Sequence, residues 1–232
     1  PDGSQIEKID TNCDVIVILG PNDDVRKGPS RPQINDQGVV AFRGSGPAGS
    51  GIYTSTGQPG EVPQLAVSDA TTNGISLFDI DNNGNIVFSS NPEIYRWDAG
   101  SDLTTVTLQY DRPEGSTFSQ LFTNDAGSIA FVSENELFID GQRVIGKGDD
   151  FLGETINGGG GAFAGIGVGA VDGFNEVGQA LIRVSTDEES GFNRYLVRAY
   201  PDGTVPDNPL LPIDTLLPSD PSNPTGRIRN VI

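Results

Sequence analysis

Short apolar runs alternate along this chain with clusters of Gly, Asn, Asp and Ser, and one arrangement of the two recurs. Gln33-Ile34, Leu77 to Ile80 and Leu121-Phe122 each lead into a polar corner, and Val39 to Phe42, Ile86 to Phe88 and Ile129 to Val132 leave it. Asn and Asp side chains cap tight turns, and Gly takes positive φ at no steric cost, so each corner predicts a β-hairpin. The first copy is Asn35-Asp-Gln-Gly38-Val-Val-Ala41-Phe42, and Asn124-Asp-Ala-Gly127-Ser-Ile-Ala130-Phe131 repeats its pattern N-x-x-G-x-x-A-F. Asp81-Asn-Asn-Gly84-Asn-Ile-Val87-Phe88 and Asn175-Glu-Val-Gly178-Gln-Ala-Leu181-Ile182 are relaxed versions. The adjacent Ala41 and Phe42 fall on opposite faces of a strand, with Phe42 as a wedge between neighbouring sheets.

Two further strand signals follow each hairpin. They are Gly51 to Thr54 with Gln64 to Val67, Glu93 to Trp97 with Thr104 to Leu108, Glu136 to Ile139 with Gln142 to Ile145, and Arg194 to Arg198 with no clear partner. Steps of 46, 43 and 51 residues separate the glycines at 38, 84, 127 and 178. A repeat of that length written in short strands marks a propeller blade or another stacked β unit. With no sustained helical periodicity, the expected fold is all-β, a β-propeller of four to five short four-stranded blades over residues 1–200. The hairpin formed by Ser4 to Ile9 and Val15 to Leu19 resembles the last two strands of a blade, to which Arg227 to Ile232 would add another.

The N-x-x-G-x-x-A-F phrase, with the G-I-Y element at Gly51-Ile52-Tyr53 and a G-D element at Lys147-Gly148-Asp149, resembles the bacterial choice-of-anchor tandem-repeat family named for that motif. The resemblance covers roughly residues 30–200. It implies a secreted or cell-surface, propeller-like protein and brings no catalytic residues with it. The family's C-terminal anchor is not visible here.

Charge narrows the partners. Thirty-two acidic against fourteen basic residues give a net charge of −18, which disfavours nucleic acid and anionic membranes. It is equally the mark of a solvated, aggregation-resistant surface. No apolar stretch reaches bilayer-spanning length, so membrane insertion is not expected. Pro1 is followed by no charged-then-apolar leader, as in a processed form or a fragment. Cys13 is the lone cysteine and its neighbours Asp14-Val15-Ile16 predict a buried small residue. With no histidine at all, Ser-His-Asp and Cys-His nucleophiles and His/Cys zinc sites are excluded. Paired carboxylates remain available for glycan hydrolysis, but Glu134, Glu136 and the run Asp187-Glu188-Glu189 read as loop tips or solvent faces. The glycines at 157–161 lack the Gly-Lys-Ser/Thr of a phosphate-binding loop. A non-catalytic protein is expected.

One segment carries metal-binding character. Asp79-Ile-Asp81-Asn-Asn83-Gly84-Asn85 matches D-x-D-x-N-G, the opening of a calcium loop, with Asp79, Asp81, Asn83 and Asn85 as candidate ligands. Position twelve of such a loop is Ser90 instead of Glu, and metal-free Asx turns are the competing reading. Tyr53, Tyr95, Trp97, Phe138 and Tyr195 recur about once per repeat; they read as packing residues, with a sugar-stacking rim as the alternative if Trp97 is exposed.

After Tyr200 the composition shifts. Seven of the sixteen prolines lie at 201, 206, 209, 212, 218, 221 and 224, so residues 201–232 predict an extended segment. Its end, Arg227-Ile-Arg-Asn-Val-Ile232, alternates like an edge strand. Ile228, Val231 and Ile232 would either close the chain's own ring or add to a neighbouring subunit. The resulting expectation is a secreted or cell-surface structural protein that self-associates or joins a cell-surface polymer, such as a filament or surface-layer subunit. A carbohydrate- or surface-ligand-binding adhesin is the alternative.

Overall fold

Alternating apolar positions between glycine-rich corners favour the period of strands, and the described residues of the computed structural model are all-β apart from one 3-10 turn, Asp69–Thr71. It describes residues 5–9, 12–20, 24–28, 30–72, 74–112, 117–134, 136–156, 167–168, 174–188, 191–205 and 211–212. The chain divides into two units, Pro1–Gly127 and Ser128–Ile232.

The first unit opens with an antiparallel pair, β1 (Ile6–Ile9) and β2 (Val15–Leu19). Next come β3 (Arg26–Lys27), β4 (Gln33–Ile34), β5 (Val40–Gly46), β6 (Gly49–Ser55) and β7 (Gln64–Ser68). They form a five-stranded sheet in which β5 pairs with β3, β4 and β6, and β6 with β7. The following sheet is a meander of β8 (Phe78–Ile80), β9 (Ile86–Ser90), β10 (Glu93–Trp97) and β11 (Thr107–Asp111). The unit closes with β12 (Phe118–Thr123), which packs on β8 and β9.

In the second unit, β13 (Ile129–Ser133), β14 (Glu136–Ile139) and β15 (Gln142–Gly146) pair in sequence. A small hairpin of β16 (Asp150–Phe151) and β17 (Glu154–Thr155) follows. The last sheet has the order β18 (Gly167–Val168), β19 (Ala180–Glu188), β20 (Gly191–Ala199), β21 (Leu211–Pro212). Strand pairing thus defines separate small antiparallel sheets of two to five strands, and no barrel closes among the described residues.

The small-large pair of the repeated phrase sets the packing of the first unit. Val40 and Phe42 face one core with Ile6, Ile18, Leu19, Val25, Tyr53 and Leu65. Ala41, on the opposite face of the same strand, joins Ile52, Ala66, Phe78, Ile86, Phe88 and Trp97 in a second core. The small alanines of one sheet therefore receive the phenylalanine of the next, and the five-stranded sheet is lined on both faces. Each repeated Phe also lies directly across the strand pair from an aromatic. Phe42 opposes Tyr53, Phe88 opposes Tyr95 and Phe131 opposes Phe138, with ring centroids 6.0, 5.6 and 5.0 Å apart. In the fourth copy the same cross-strand pair is Ile182 with Val197, both fully buried.

A bulge recurs one strand further out. Register slips between Ile52 and Tyr53, between Ile94 and Tyr95, and between Leu137 and Phe138. The extra residue is Ala66, Gln109 or Val144 on the outer strand. In the first of these sheets the slip brings Ala66 and Val67 into one core while Leu65 faces the other. Gly51, the glycine of the G-I-Y element, is required by close approach: a Cβ there would lie 1.9 Å from the Val67 carbonyl oxygen.

Several expectations need correction. Cys13 is exposed and has φ 66, so it is not a buried residue; it lies in the turn between β1 and β2, where no core reaches it. The outer strand of the second sheet is Thr107–Asp111, not 104–108. Turns closed by Ser101 N–H to the Asp98 carbonyl and by Thr105 N–H to the Asp102 carbonyl take up the intervening chain. Arg194 to Arg198 lie within the longer β20, which does have partners on both sides. Asp187 and Glu188 are the last residues of β19, beside its turn into β20. The glycines at 157–161, Glu189, and Ile228, Val231 and Ile232 lie outside the described residues.

Truncating a fully buried member of the aromatic pairs leaves a cavity in the core that it fills. Phe88→Ala is expected to lower unfolding free energy by about 3–5 kcal/mol in urea titration, whereas Val177→Ala, at an exposed position, should stay within about 0.5 kcal/mol.

Candidate functional site

The polar side chains that the sequence concentrates at its corners share one local geometry. In the first corner the Asn35 N–H donates to the Val39 carbonyl (3.1 Å), Gly38 N–H to the Asn35 carbonyl (2.9 Å), and Val39 N–H to Asn35 Oδ1 (2.9 Å). The second repeats it with Asp81, Gly84 and Asn85, where Asp81 Oδ1 accepts from Asn85 N–H at 2.8 Å. The fourth repeats it with Asn175, Gly178 and Gln179, the side-chain bond again being 2.8 Å. In the third, Gly127 N–H donates to the Asn124 carbonyl at 2.9 Å. Gly38, Gly84, Gly127 and Gly178 all sit at φ between 76 and 85. A residue with a Cβ is strained there.

Within the first unit the corners are bonded side by side. Asn35 Nδ2 donates to the Asp81 carbonyl at 2.9 Å. Asn82 Oδ1 accepts from Asp36 N–H (2.8 Å), and Asn82 Nδ2 donates to Asp36 Oδ2 (2.9 Å) and Asp125 Oδ2 (3.0 Å). The Asn82 N–H donates to Asp125 Oδ1 at 2.6 Å, and Asn83 Nδ2 to the Asp125 carbonyl at 3.3 Å. One carboxamide therefore bridges two carboxylates, and three successive corners form a continuous polar row. Basic side chains complete it: Lys8 Nζ donates to the Gly38 carbonyl (2.8 Å) and the Thr56 carbonyl (2.6 Å). Arg96 reaches the glycine of the third corner, its Nη1 3.2 Å from where a Cβ on Gly127 would be.

The four calcium candidates are placed close in sequence but are committed elsewhere. Asp81 is buried, and both its oxygens accept bonds, Oδ1 from Asn85 N–H and Oδ2 from Asn85 Nδ2 (2.8 Å), with Arg96 Nη2 at 3.4 Å. Asp79 Oδ2 accepts from Thr123 N–H at 2.9 Å. Asn85 Oδ1 accepts from Ala99 N–H at 3.0 Å, and Asn83 points its amide at Asp125. The Arg96 guanidinium beside Asp81, with both Asp81 oxygens and the Asn85 oxygen already accepting bonds, does not fit a calcium cage. Among the described residues no group of three or more His, Cys, Asp or Glu side chains is arranged to hold a metal.

Among the described residues Asp79 is the one strongly perturbed carboxyl. Burial pushes its pKa up to about 6 from an ordinary 3.8, against the lowering effect of bonds from the Thr123 and Ile80 amides; neighbouring Asp81 adds to the rise. Tyr95 is pushed up to about 12, first by its hydroxyl bond to Glu93 (2.6 Å) and then by burial. Trp97 is buried at 8% exposure with Nε1 donating to the Asp102 carbonyl, which withdraws it from any sugar-stacking rim. Glu134 is exposed, as expected of a loop tip. Glu136, though partly exposed, is paired with Arg143 at 2.7 Å; Arg143 also holds Asp149, the acid of the G-D element, which in turn accepts from Gly146 N–H.

Sequence reading found the corner residues but missed the row between them, along with Lys8 and Arg96. A signal was present: the residue after each corner's first position is Asp36, Asn82, Asp125 or Glu176, always an acid or its amide.

No family model matches the chain, and no curated protein does. Among solved structures it is similar to one described as "The de novo evolutionary emergence of a symmetrical protein is shaped by folding constraints". That similarity is 13% identity over 83% of this chain and 85% of the other, at a TM-score of 0.35. No helix among the described residues is long and apolar enough to cross a membrane.

Asn82→Asp would set a third carboxylate between two others and is expected to lose about 1–3 kcal/mol at pH 7. Part of that loss should return in 1 M salt, where the Debye length is about 3 Å, and part below the carboxylate pKa. Chemical denaturation at two ionic strengths reads both. The folded state keeps the Asp79 proton between pH 3.8 and about 6 while the unfolded chain releases it. The stability this provides is fully present below pH 3.8 and lost as pH rises through 6. Asp79→Asn should therefore raise stability at pH 7.5, by about 3 kcal/mol at most, and leave it nearly unchanged at pH 4.

Proposed function

We propose that this protein is a non-catalytic structural subunit of a secreted or cell-surface assembly, its repeats the blades of a four- to five-bladed β-propeller. The observation that carries this reading is where the repeated residues spend their chemistry. Asn35, Asp81 and Asn175 close their own turns, Asp36, Asn82 and Asp125 tie neighbouring corners together, and the recurring aromatics fill the sheets. A catalytic repeat would hold such groups free and facing a cleft. The sequential meander of β8 to β11 and the shared cores on either face of the five-stranded sheet are the features expected of blades. Location outside the cell draws on the resemblance of the corner phrase to choice-of-anchor repeats and on the charge of −18. Self-association draws on the alternating segment at the end of the Pro-rich tail.

Negative-stain electron microscopy of the purified full chain is expected to show polymers. A chain ending after Pro212, which retains β21, is expected to stay folded by circular dichroism and to remain monomeric. Monomers of the full chain at every concentration would overturn the assembly reading.

A further inference from the structure

The polar row of corners contains one chemically labile link. The residue before each corner glycine is Gln37, Asn83, Ala126 or Val177, so only the second corner sets an asparagine carboxamide next to the glycine amide. In an Asn-Gly pair the glycine nitrogen can attack the side-chain carbonyl carbon of the residue before it and close a five-membered ring. No Cβ on the glycine obstructs that approach. Here a Cβ on Gly84 would meet only Ala99 Cβ, at 3.5 Å, so that side of the glycine is open.

How firmly each carboxamide is held separates Asn83 from the other amides of the row. Asn35 accepts from Val39 N–H and donates to the Asp81 carbonyl, both at 2.9 Å. Asn82 accepts from Asp36 N–H and donates to two carboxylates. Asn85 accepts from Ala99 N–H at 3.0 Å and donates to Asp81 Oδ2 at 2.8 Å. Each of these is tied at both oxygen and nitrogen, and each is followed by a residue with a side chain, Asp36, Asn83 or Ile86. Asn83 is exposed, and its Nδ2 makes one bond, to the Asp125 carbonyl at 3.3 Å, longer than the ordinary range. Its Oδ1 accepts no bond among the described residues. The side chain can therefore turn toward the Gly84 nitrogen by giving up one weak contact. The corner itself sets the pace: Gly84 N–H donates to the Asp81 carbonyl at 3.0 Å, and the nitrogen is released when the corner opens.

We infer that Asn83-Gly84 is a self-modification site, at which water converts the carboxamide to an acid and unlinks the second corner from the third. The Gly84 nitrogen bonds to Asn83 Cγ, and the side-chain amide nitrogen leaves as ammonia with the proton that Gly84 gives up. A succinimide remains. Water opens that ring at either carbonyl, giving aspartate or isoaspartate, so water enters, ammonia leaves and nothing is oxidised or reduced. Aspartate at position 83 has lost the donor that met the Asp125 carbonyl and brings a carboxylate beside Asp125. Isoaspartate also lengthens the main chain by one atom ahead of Gly84. The Gly84 and Asn85 amides then no longer both meet Asp81. Asn82, immediately before the change, is the bridge between Asp36 and Asp125, so the loss passes into the row. Either product adds negative charge to a chain already at −18.

Peptide mapping by mass spectrometry tests the site in the full-length protein, incubated folded in mildly alkaline buffer made with heavy-oxygen water. Asn83 is expected to give way to aspartate and isoaspartate carrying the heavy oxygen. The same incubation in urea should convert it faster, since the Gly84 amide is then unheld. Hydrogen exchange of the aged folded protein is expected to show protection lost at Gly84 and Asn85. Asn83→Gln, at an exposed position and needing a larger ring to react, should keep its carboxamide and its protection. That variant retains the other Asn-Gly pairs, Asn73-Gly74 and Asn157-Gly158, and so controls for conversion elsewhere. An Asn83 that stays intact in the folded protein would overturn the site. Conversion that leaves Gly84 and Asn85 protected, or equal loss of protection in Asn83→Gln, would overturn the unlinking.

Discussion

A side-chain oxygen accepting the amide four residues on is the bond on which the rest of this structure depends. Asn35, Asp81 and Asn175 each make it, and it fixes the corner so that the chain reverses with a glycine at positive φ. Once the corner is fixed, the distance to the next small-large pair is fixed as well. Ala41 and Phe42 therefore emerge on opposite faces of β5 every time the chain folds. A slip of one residue would put Phe42 where only an alanine fits and expose the alanine side to the wrong core.

Two kinds of lateral contact then join sheet to sheet in the first unit. Inside, Phe88 and Trp97 pack against Ala41, Ala66 and Ile52. On the rim, Asn82 bridges Asp36 and Asp125. The interior contact supplies most of the free energy, because apolar burial returns about 25 cal/mol per Å² while half-exposed hydrogen bonds net about 1 kcal/mol each. The rim contributes alignment. Its alternation of acid, amide and acid lets one carboxamide satisfy two carboxylates that would otherwise repel, and this is how a chain with a large acidic excess stacks acidic corners side by side.

Asp79 and Asp81 show how the same residue types meet different fates two positions apart. Asp81 lies at the corner, where two bonds from Asn85 and the Arg96 guanidinium satisfy its carboxylate. Asp79 lies within β8, where burial outweighs the amides of Thr123 and Ile80 and raises its pKa. The D-x-D-x-N-G spacing that suggests a calcium loop is thus absorbed into turn closure and strand packing. The proposed structural role follows the same logic, since polar groups engaged by their neighbours keep fewer acceptor sites for a ligand.

The repeated phrase by itself determined the all-β class, the hairpin corners at Gly38, Gly84, Gly127 and Gly178, and the opposed faces of Ala41 and Phe42, because turn chemistry and strand alternation act over a few residues. The strands at Glu93–Trp97 and Glu136–Ile139 were legible to the residue for the same reason. Only the tertiary structure decided the bulges at Ala66, Gln109 and Val144, the exposure of Cys13, the burial of Trp97 and the row from Asp36 through Asn82 to Asp125. Each of these depends on which residue of a distant segment arrives opposite. That is fixed by how whole sheets pack and pair, not by any preference the local sequence carries.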